Sequence, residues 1–469
     1  MPTEPSFAQL VTQAVFGADR PLTLAEIKAR VEMIRRVDTR NPQATLRTAV
    51  NNNRLIASLG GRPARYAWWP HHLAGSSFRQ PLADSDLETG TLVLNEETWA
   101  ALWPDFHGGA DRSQGDVTLV LPGGCVLETR IEHLVDGQAV WGLHPTPALA
   151  DWYRKQRAKP EDELIVRVLD LEAHRYALEF CRRSDRDEKA MAARNEALAD
   201  AAELVVRAGQ SPMPYFDLIP RLIAQDTYRD PLPPDPWEEV LRADLRFVVW
   251  RFNVYLADRM VDYQERERDV PHDPWSSPRP RGDRRKVKSD EARRAWGQYL
   301  FERGMEYRWE GWDLDAESYY REALRIDPSH ADAWVHLGNL CFEEGRLVKA
   351  LEHYERAQTA AEARTIGDPA RYSPPFWLEL DSRPFMRALY GRGLCLWRLG
   401  RIDEARQVFT WMMELNPNDN QGARFLLHDL DEGLSWEEST AREEEEEQAR
   451  REEAFWRAHE GRRGADVIH

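Results

Sequence analysis

Residues 300–328 read LFERGMEYRWEGWDLDAESYYREALRIDP, and residues 334–357 read WVHLGNLCFEEGRLVKALEHYERA. The two stretches align with a shift of 34 residues, and glycine, alanine and aromatic positions coincide. The coincident pairs are Trp334 on Leu300, Gly338 on Gly304, Ala350 on Ala316, Tyr354 on Tyr320 and Ala357 on Ala323. Small residues suit points where antiparallel helices touch, and aromatic rings fill the space beside them. The spacing predicts repeated helix pairs in the C-terminal part of the chain.

A third unit follows at residues 388–419, ALYGRGLCLWRLGRIDEARQVFTWMMELNPND, after an insertion that contains ARYSPPFWLELDSRP. Its marker residues fall at matching offsets, namely Gly393, Gly400, Ala405, Phe409 and Pro417. The three units resemble the tetratricopeptide repeat family, and about three are needed for a self-supporting solenoid. The resemblance implies a protein-binding concave face built by the first helix of each pair.

Repeat phase places one set of side chains toward that face. The predicted partner-binding residues are Phe301, Met305, Arg308, Val335, Asn339, Arg387, Tyr390 and Trp397. We expect a peptide or protein groove in which Arg308 or Arg387 acts as a cationic anchor. The alternative is that several of these residues only pack against neighbouring elements of the chain.

The N-terminal residues predict three helices followed by a hairpin. Thr23 and Glu26 have capping-box spacing, and Asn41-Pro42 is a helix-start pair. One face of the second helix carries Leu24, Ile27, Val31 and Ile34, and the third helix carries Leu46, Ala49 and Val50. The stretches PLTLAEIKARV, NPQATLRTAV and GGRPARYAWWP resemble the HARE-type winged helix-turn-helix domain over about 65 residues. That family often closes in Tyr-x-Leu, whereas this chain has Trp68 at the last position.

The resemblance implies binding of DNA or nucleoprotein complexes, and local charge agrees with it. Residues 1–70 carry ten cations and five anions, although the whole chain has a net charge of −17. The residue types on the third helix suit base edges, and arginines before it and on the wing suit phosphates. The predicted DNA-binding residues are Gln43, Arg47, Thr48, Asn51, Arg62, Arg65, Arg35, Arg36 and Arg40. Winged helices also serve as protein-interaction modules, so that alternative stays open.

The middle of the chain changes twice in character. Residues 77–183 contain β-rich runs broken by Gly, Pro and Asp, similar at pattern level to pseudobarrel domains of plant transcription factors and restriction-enzyme specificity domains. Residues 189–265 read as helices followed by the strand-like RFVVWRFNVYLA, and together they are interpreted as a second winged helix. Its third helix would carry Glu238, Glu239 and Asp244, so we expect this copy to contact protein rather than phosphate.

The remaining boundaries are set by composition. The fold predicted is multidomain and mainly α. Its parts are 1–72 winged helix, 77–183 β-rich, 189–265 helical, 266–292 linker, 293–430 repeats and 431–469 acidic tail. Arg284-Arg285-Lys286 in the linker and Glu443 to Glu447 in the tail are predicted to be solvated.

No chemistry-bearing motif emerges from the residues. The four cysteines are widely spaced, and no Walker loop, HExxH, GxSxG or histidine cluster occurs. We expect no enzyme activity, cofactor, metal or membrane span. The chain is interpreted as a cytoplasmic, bacterial-type DNA-binding protein in transcription regulation, repair or defence, with the repeats recruiting a protein partner. The alternative is a scaffold in which winged helices and repeats all bind proteins. The residues do not indicate an oligomeric state.

Overall fold

The computed structural model describes most of the chain and divides it into two compact units. The described residues are 5–37, 39–104, 115–134, 140–209, 212–267, 277–366, 376–442, 445 and 450. The first unit is Met1–Leu256 and the second is Ala257–His469. The division therefore falls inside the segment 189–265 that the sequence suggested as one helical domain.

The first subdomain contains three helices and a small antiparallel sheet. Its elements are α1 (Phe7–Phe16), β1 (Leu22–Thr23), α2 (Leu24–Glu32), α3 (Pro42–Asn51), β2 (Ile56–Ser58) and β3 (Arg65–Trp68). The sheet order is β1-β3-β2. The predicted caps are present, because Thr23 and Glu26 form a capping box and the Asn41 side chain accepts from Ala44 N.

Hydrophobic periodicity places the core of this subdomain correctly with one exception. Leu46 and Val50 of α3 are buried, as are Ile27 and Val31 of α2. Ile34 was predicted on the same inward face but is 65% exposed. The reason is that α2 ends at Glu32, so the chain leaves the helical path before that position is reached.

A curled seven-stranded sheet, open like half a barrel, forms the middle of the first unit. Its elements are β4 (Ser77–Pro81), α4 (Asp84–Thr89), β5 (Leu92–Val93), α5 (Glu96–Leu102), β6 (Asp116–Val120), β7 (Val126–His133), β8 (Trp141–Leu143), α6 (Pro147–Gln156), β9 (Glu163–Asp170) and β10 (Arg175–Cys181). The strand order is β4-β9-β10-β6-β7-β8-β5. Neighbours are antiparallel except β10 and β6, which run parallel. The β-rich prediction for 77–183 is confirmed in this coarse form.

A third subdomain repeats the element order of the first. It contains α7 (Glu188–Ala208), β11 (Met213–Pro214), α8 (Tyr215–Ile223), α9 (Trp237–Ala243), β12 (Phe247–Trp250) and β13 (Asn253–Leu256). Its sheet order is β11-β13-β12, which matches β1-β3-β2. It shares one continuous hydrophobic core with the seven-stranded sheet, and Ala57 of β2 and Ala67 of β3 belong to the same core. Most of the other buried residues of the first subdomain form a separate cluster.

A network of buried ion pairs connects the third subdomain to the seven-stranded sheet. Glu163 of β9 accepts from Arg79 of β4 and, at 2.8 Å, from Arg186 Nη1. Arg186 also bonds Asp235, which precedes α9. Side chains of Arg79 and Glu163 are 2% and 1% exposed. Because buried charges require full pairing, this network fixes the relative placement of these elements.

The second unit is a series of helix pairs, and one further helix precedes them in the chain and packs against the first pair. Its helices are α10 (Ala257–Glu267), α11 (Asp290–Trp309), α12 (Asp313–Ile326), α13 (Ala331–Glu343), α14 (Leu347–Ala361), α15 (Arg383–Arg398), α16 (Ile402–Leu415) and α17 (Ala423–Asp431). Antiparallel packing joins α11 to α12, α13 to α14 and α15 to α16. No helix in the described ranges combines the length and apolarity that crossing a bilayer requires.

The stretch predicted as a solvated linker is partly built into this unit. Residues 268–276 lie outside the described part of the chain. Beyond them Arg284 is buried, and it donates to Glu322 at 2.8 Å and to Asp262 at 2.7 Å. The prediction that the Arg284 cluster is solvated is therefore wrong for Arg284, since α10 and α12 supply two carboxylates that sequence spacing could not reveal.

Candidate protein-binding groove

Glycines on the first helix of each pair let the second helix approach closely. A Cβ built on Gly304 would lie 2.6 Å from Tyr320 Cε1, and one on Gly338 would lie 2.7 Å from Tyr354 Cε1. Real Cβ atoms do not approach a ring that closely, so only glycine fits. This interlock sets the spacing within each pair and leaves the opposite face of α11, α13 and α15 to form a common concave surface.

That surface encloses a groove of about 700 Å³. Most of its lining comes from α11, α13 and α15, the first helix of each pair. The lining residues are Gln298, Phe301, Glu302, Met305, Asp332, Val335, His336, Asn339, Phe342, Glu343, Tyr354, Arg387, Tyr390, Gly391, Leu394 and Gln421. A cleft of this size with an apolar floor and a few polar groups is typical of binding sites.

Six of the eight residues predicted from repeat phase line the groove. They are Phe301, Met305, Val335, Asn339, Arg387 and Tyr390. Phe301 and Val335 are buried and form the floor, whereas the other four are partly exposed. Repeat phase succeeded because positions 34 residues apart fall on equivalent helix faces. It missed Phe342 and Leu394, which later turns of α13 and α15 bring to the same face.

The two arginines expected as cationic anchors are both engaged by carboxylates of the array. Arg387 Nη1 donates to Asp332 Oδ1 at 2.7 Å. Arg308 bonds Asp313 and Glu343. Neither guanidinium therefore stands unpaired in the groove. Sequence reasoning did not find these bonds, because Asp332 and Glu343 lie on the neighbouring pair.

Aromatic and amide groups define the centre of the groove. The Tyr354 hydroxyl donates to Asn339 Oδ1 at 2.7 Å, which orients the amide. The His336 ring lies 5.3 Å from Phe301 and 5.4 Å from Tyr320, measured between ring centroids. Burial among these rings lowers the pKa of His336 to about 4, so its imidazole is neutral at neutral pH.

The C-terminal end of the concave face is covered by the chain itself. The Trp436 ring packs edge-on against Phe342 at 5.5 Å and against Trp397 at 5.8 Å. Trp397 Nε1 donates to Leu434 O at 3.1 Å. Trp397, predicted to bind a partner, is thus buried beneath residues 434–442. Part of the segment predicted as an acidic tail over 431–469 is therefore packed against the repeats, whereas Glu443, Glu444, Glu446 and Glu447 lie outside the described residues.

Three potential metal ligands hold these residues in place. His428, Asp429 and Glu432 bring one ligand atom each within 4.8 Å of one another. Arg442 donates to Asp429 and, at 2.6 Å, to Glu432, and Ser439 also donates to Asp429. The carboxylates already have protein partners, so the cluster functions as an anchor for residues 434–442.

The residues predicted to contact DNA share one property. All nine are exposed, namely Arg35, Arg36, Arg40, Gln43, Arg47, Thr48, Asn51, Arg62 and Arg65. Within the described part of the chain, none of the six arginines forms an ion pair, and Arg35 makes one long bond to Pro5 O at 3.5 Å. The corresponding helix of the third subdomain differs. There Arg242 bonds Glu238, and directly after the helix Arg246 bonds Asp244.

Helix pairs that repeat at 34-residue intervals around a concave groove define a helical-repeat interaction module. Comparison with known families agrees, because residues 314–365 and 379–419 match the tetratricopeptide repeat family. A stretch of 132 residues is 30% identical to "Protein CTR9 homolog" of Arabidopsis thaliana. This match covers 25% of the chain and 12% of that relative's length. The repeat prediction is confirmed over 314–419, whereas the HARE-type winged helix stays a prediction.

Proposed function

We propose that the C-terminal unit recruits a partner protein, which inserts a segment into the groove between α11, α13 and α15. The observation that carries this proposal is the groove itself, with buried Phe301 and Val335 as its floor and oriented polar groups around them. Repeats of this family present such faces to proteins. The match to a tetratricopeptide repeat supports an interaction scaffold.

Binding through the groove predicts that substitutions inside it weaken partner binding and that substitutions outside it do not. Replacing Tyr390 and Leu394 together by alanine removes two partly exposed groove side chains without opening the interior. The matched control is Glu355→Ala with Thr359→Ala, two exposed residues of α14 outside the groove. A partner isolated on the full chain should bind the groove variant at least tenfold more weakly and the control normally. Equal affinity for all three proteins would refute groove binding.

A second function rests on a different observation. We propose that α3 and the β2–β3 wing contact duplex DNA, as the resemblance to HARE-type domains implies. The nine exposed residues and their unpaired arginines favour this surface, because phosphate contact depends on available cations. With both surfaces taken together, we propose a cytoplasmic, bacterial-type adaptor in transcription, repair or defence, without catalytic activity.

The DNA proposal is tested by salt dependence. Arg47→Ala with Arg62→Ala in the full chain should weaken duplex binding, and loss of the phosphate contact of Arg62 should flatten the slope of log affinity against log salt by about 1. Arg154→Ala with Arg175→Ala, two exposed arginines of the first unit, is the control. If the salt dependence of the double variant equals that of the parent chain, α3 and the wing are not the DNA-binding surface. Loss of a protein partner by the same variant would instead support the all-protein scaffold.

A further inference from the structure

We propose that the groove selects a partner segment in which apolar side chains alternate with lysine or arginine. This inference rests on the proposed function of the groove and specifies the chemistry of its partner.

Charge in the groove is unequally distributed. The lining includes three carboxylates, Glu302, Asp332 and Glu343, but one guanidinium, that of Arg387. Arg387 is already bound to Asp332 at 2.7 Å. The potential inside the groove is therefore negative, and it attracts cations of an incoming chain.

The surroundings do not reverse this sign. Arg308, at the edge, is bound by Glu343, which already belongs to the lining, and by Asp313, so Arg308 and Asp313 together add no net charge. His336 is neutral at neutral pH and adds no positive charge. A segment rich in aspartate or glutamate would meet these carboxylates and find both arginines engaged, which disfavours its binding.

Individual carboxylates differ in their availability. Glu302 accepts from Gln298 Nε2 at 2.7 Å and from Ser277 Oγ at 3.1 Å, so part of its capacity is used. Glu343 is bound by Arg308 through Oε2, yet 52% of its side chain is exposed, against 19% for Asp332. Glu343 is therefore the carboxylate most exposed to a lysine or arginine of the partner.

Apolar subsites alternate with these charges. Phe301 and Met305 of α11 lie one helical turn apart and bracket Glu302 in sequence, and Phe342 of α13 adjoins Glu343. The groove therefore offers apolar contacts and carboxylates side by side. A segment that combines apolar residues with lysine or arginine at alternating positions matches this lining.

The probe is a randomised 12-residue peptide library displayed on phage and selected on the full chain. Selected peptides are divided by whether Tyr390→Ala with Leu394→Ala abolishes their binding. Those that depend on the groove should contain more lysine and arginine than aspartate and glutamate. A groove-dependent set without basic enrichment overturns the inference and leaves the proposed function intact. If no selected peptide depends on the groove, both fail.

A charge swap supplies the second measurement. Glu343→Lys should weaken a groove-dependent basic peptide by about tenfold in fluorescence anisotropy. The control Glu355→Lys reverses an equally exposed carboxylate, 53% exposed, outside the groove and should have no effect. Circular dichroism establishes that both variants are folded. Equal affinity for the Glu343→Lys variant and the parent protein would overturn the inference.

Discussion

The ring of Tyr354 lies against Gly338 so closely that a methyl group there would sit 2.7 Å from Cε1. The hydroxyl of the same tyrosine donates to Asn339 Oδ1 in the groove. One side chain of α14 therefore joins the packing of a helix pair to the surface proposed for binding. Damage to this packing should affect stability and recognition together.

Gly338→Ala tests that packing. The added methyl group must displace a buried ring, so the second unit should lose about 1–3 kcal/mol of unfolding free energy. Urea unfolding of the full chain followed by circular dichroism measures the loss. Glu355→Ala, an exposed change on α14, should alter stability by less than about 0.5 kcal/mol. An unchanged urea midpoint for Gly338→Ala would contradict the close contact, because it would mean that a methyl group fits beside Tyr354 without displacing the ring.

Removal of Trp436 tests the covered end of the groove. Trp436→Ala takes an aromatic partner from Phe342 and Trp397 and should destabilise the second unit by about 1–3 kcal/mol. Hydrogen exchange should rise in α15, where Trp397 lies, and in residues 434–442. Exchange that stays at the parent level in both segments would mean that residues 434–442 do not protect the concave face.

Glu163 tests the buried ion network of the first unit. Glu163→Gln leaves Arg79 and Arg186 without the charge that compensates them, at a cost of about 3–5 kcal/mol. Glu179→Gln is the contrast, because its pair with Arg167 is exposed and worth less than about 1 kcal/mol. Comparable losses in urea unfolding for the two variants would contradict the structural role of the buried network.

Glu97 predicts a pH dependence for the same unit. Complete burial, followed by the nearby charge of Glu96, raises the pKa of Glu97 to about 8 from an ordinary value of 4.5. Between these values the folded chain retains a proton that the unfolded chain has released. The free energy of unfolding therefore falls as the pH rises from about 4.5 to 8, and Glu97 contributes up to about 1.4 kcal/mol per pH unit to this fall. Above about pH 8 the contribution of Glu97 no longer changes with pH.

The isosteric variant isolates this effect. Glu97→Gln keeps a carbonyl oxygen that can accept from Trp237 N but does not titrate. Its unfolding free energy should decline less steeply between pH 5 and 8 than that of the parent chain. Glu172→Gln, which alters an exposed carboxylate, should follow the parent profile. If the unfolding free energies of the parent chain and of Glu97→Gln depend on pH in the same way, Glu97 is not the titrating group.

Local signals were sufficient for part of this molecule. The 34-residue spacing of Gly304 and Gly338 predicted the helix pairs and, through helix phase, most of the groove lining. The capping residues Thr23 and Asn41 predicted helix starts in the first subdomain. Such features are fixed spacings within the sequence, so they can be recognised without knowledge of the tertiary structure.

Long-range partners could not be predicted in the same way. Arg387 reaches Asp332 across 55 residues of chain, and Trp436 returns over Trp397 from outside the repeat. Neither contact follows a periodic pattern. The parallel pairing of β10 with β6 is likewise invisible to hydrophobic alternation, which reports a strand but not its neighbour. The ion pairs of Arg308 and Arg387 were missed for this reason, and the role of these arginines as cationic anchors stays a prediction.

Site-specific photocrosslinking is the measurement that tests groove binding most directly. A photoreactive phenylalanine analogue replaces Tyr390 in the groove of the full chain, and in a matched protein it replaces Val348, which is 58% exposed on α14 outside the groove. With a partner bound, adducts should form from position 390, map to one apolar and basic segment of that partner, and be absent from position 348. Adducts from position 348 with none from position 390 would contradict the groove as the binding site.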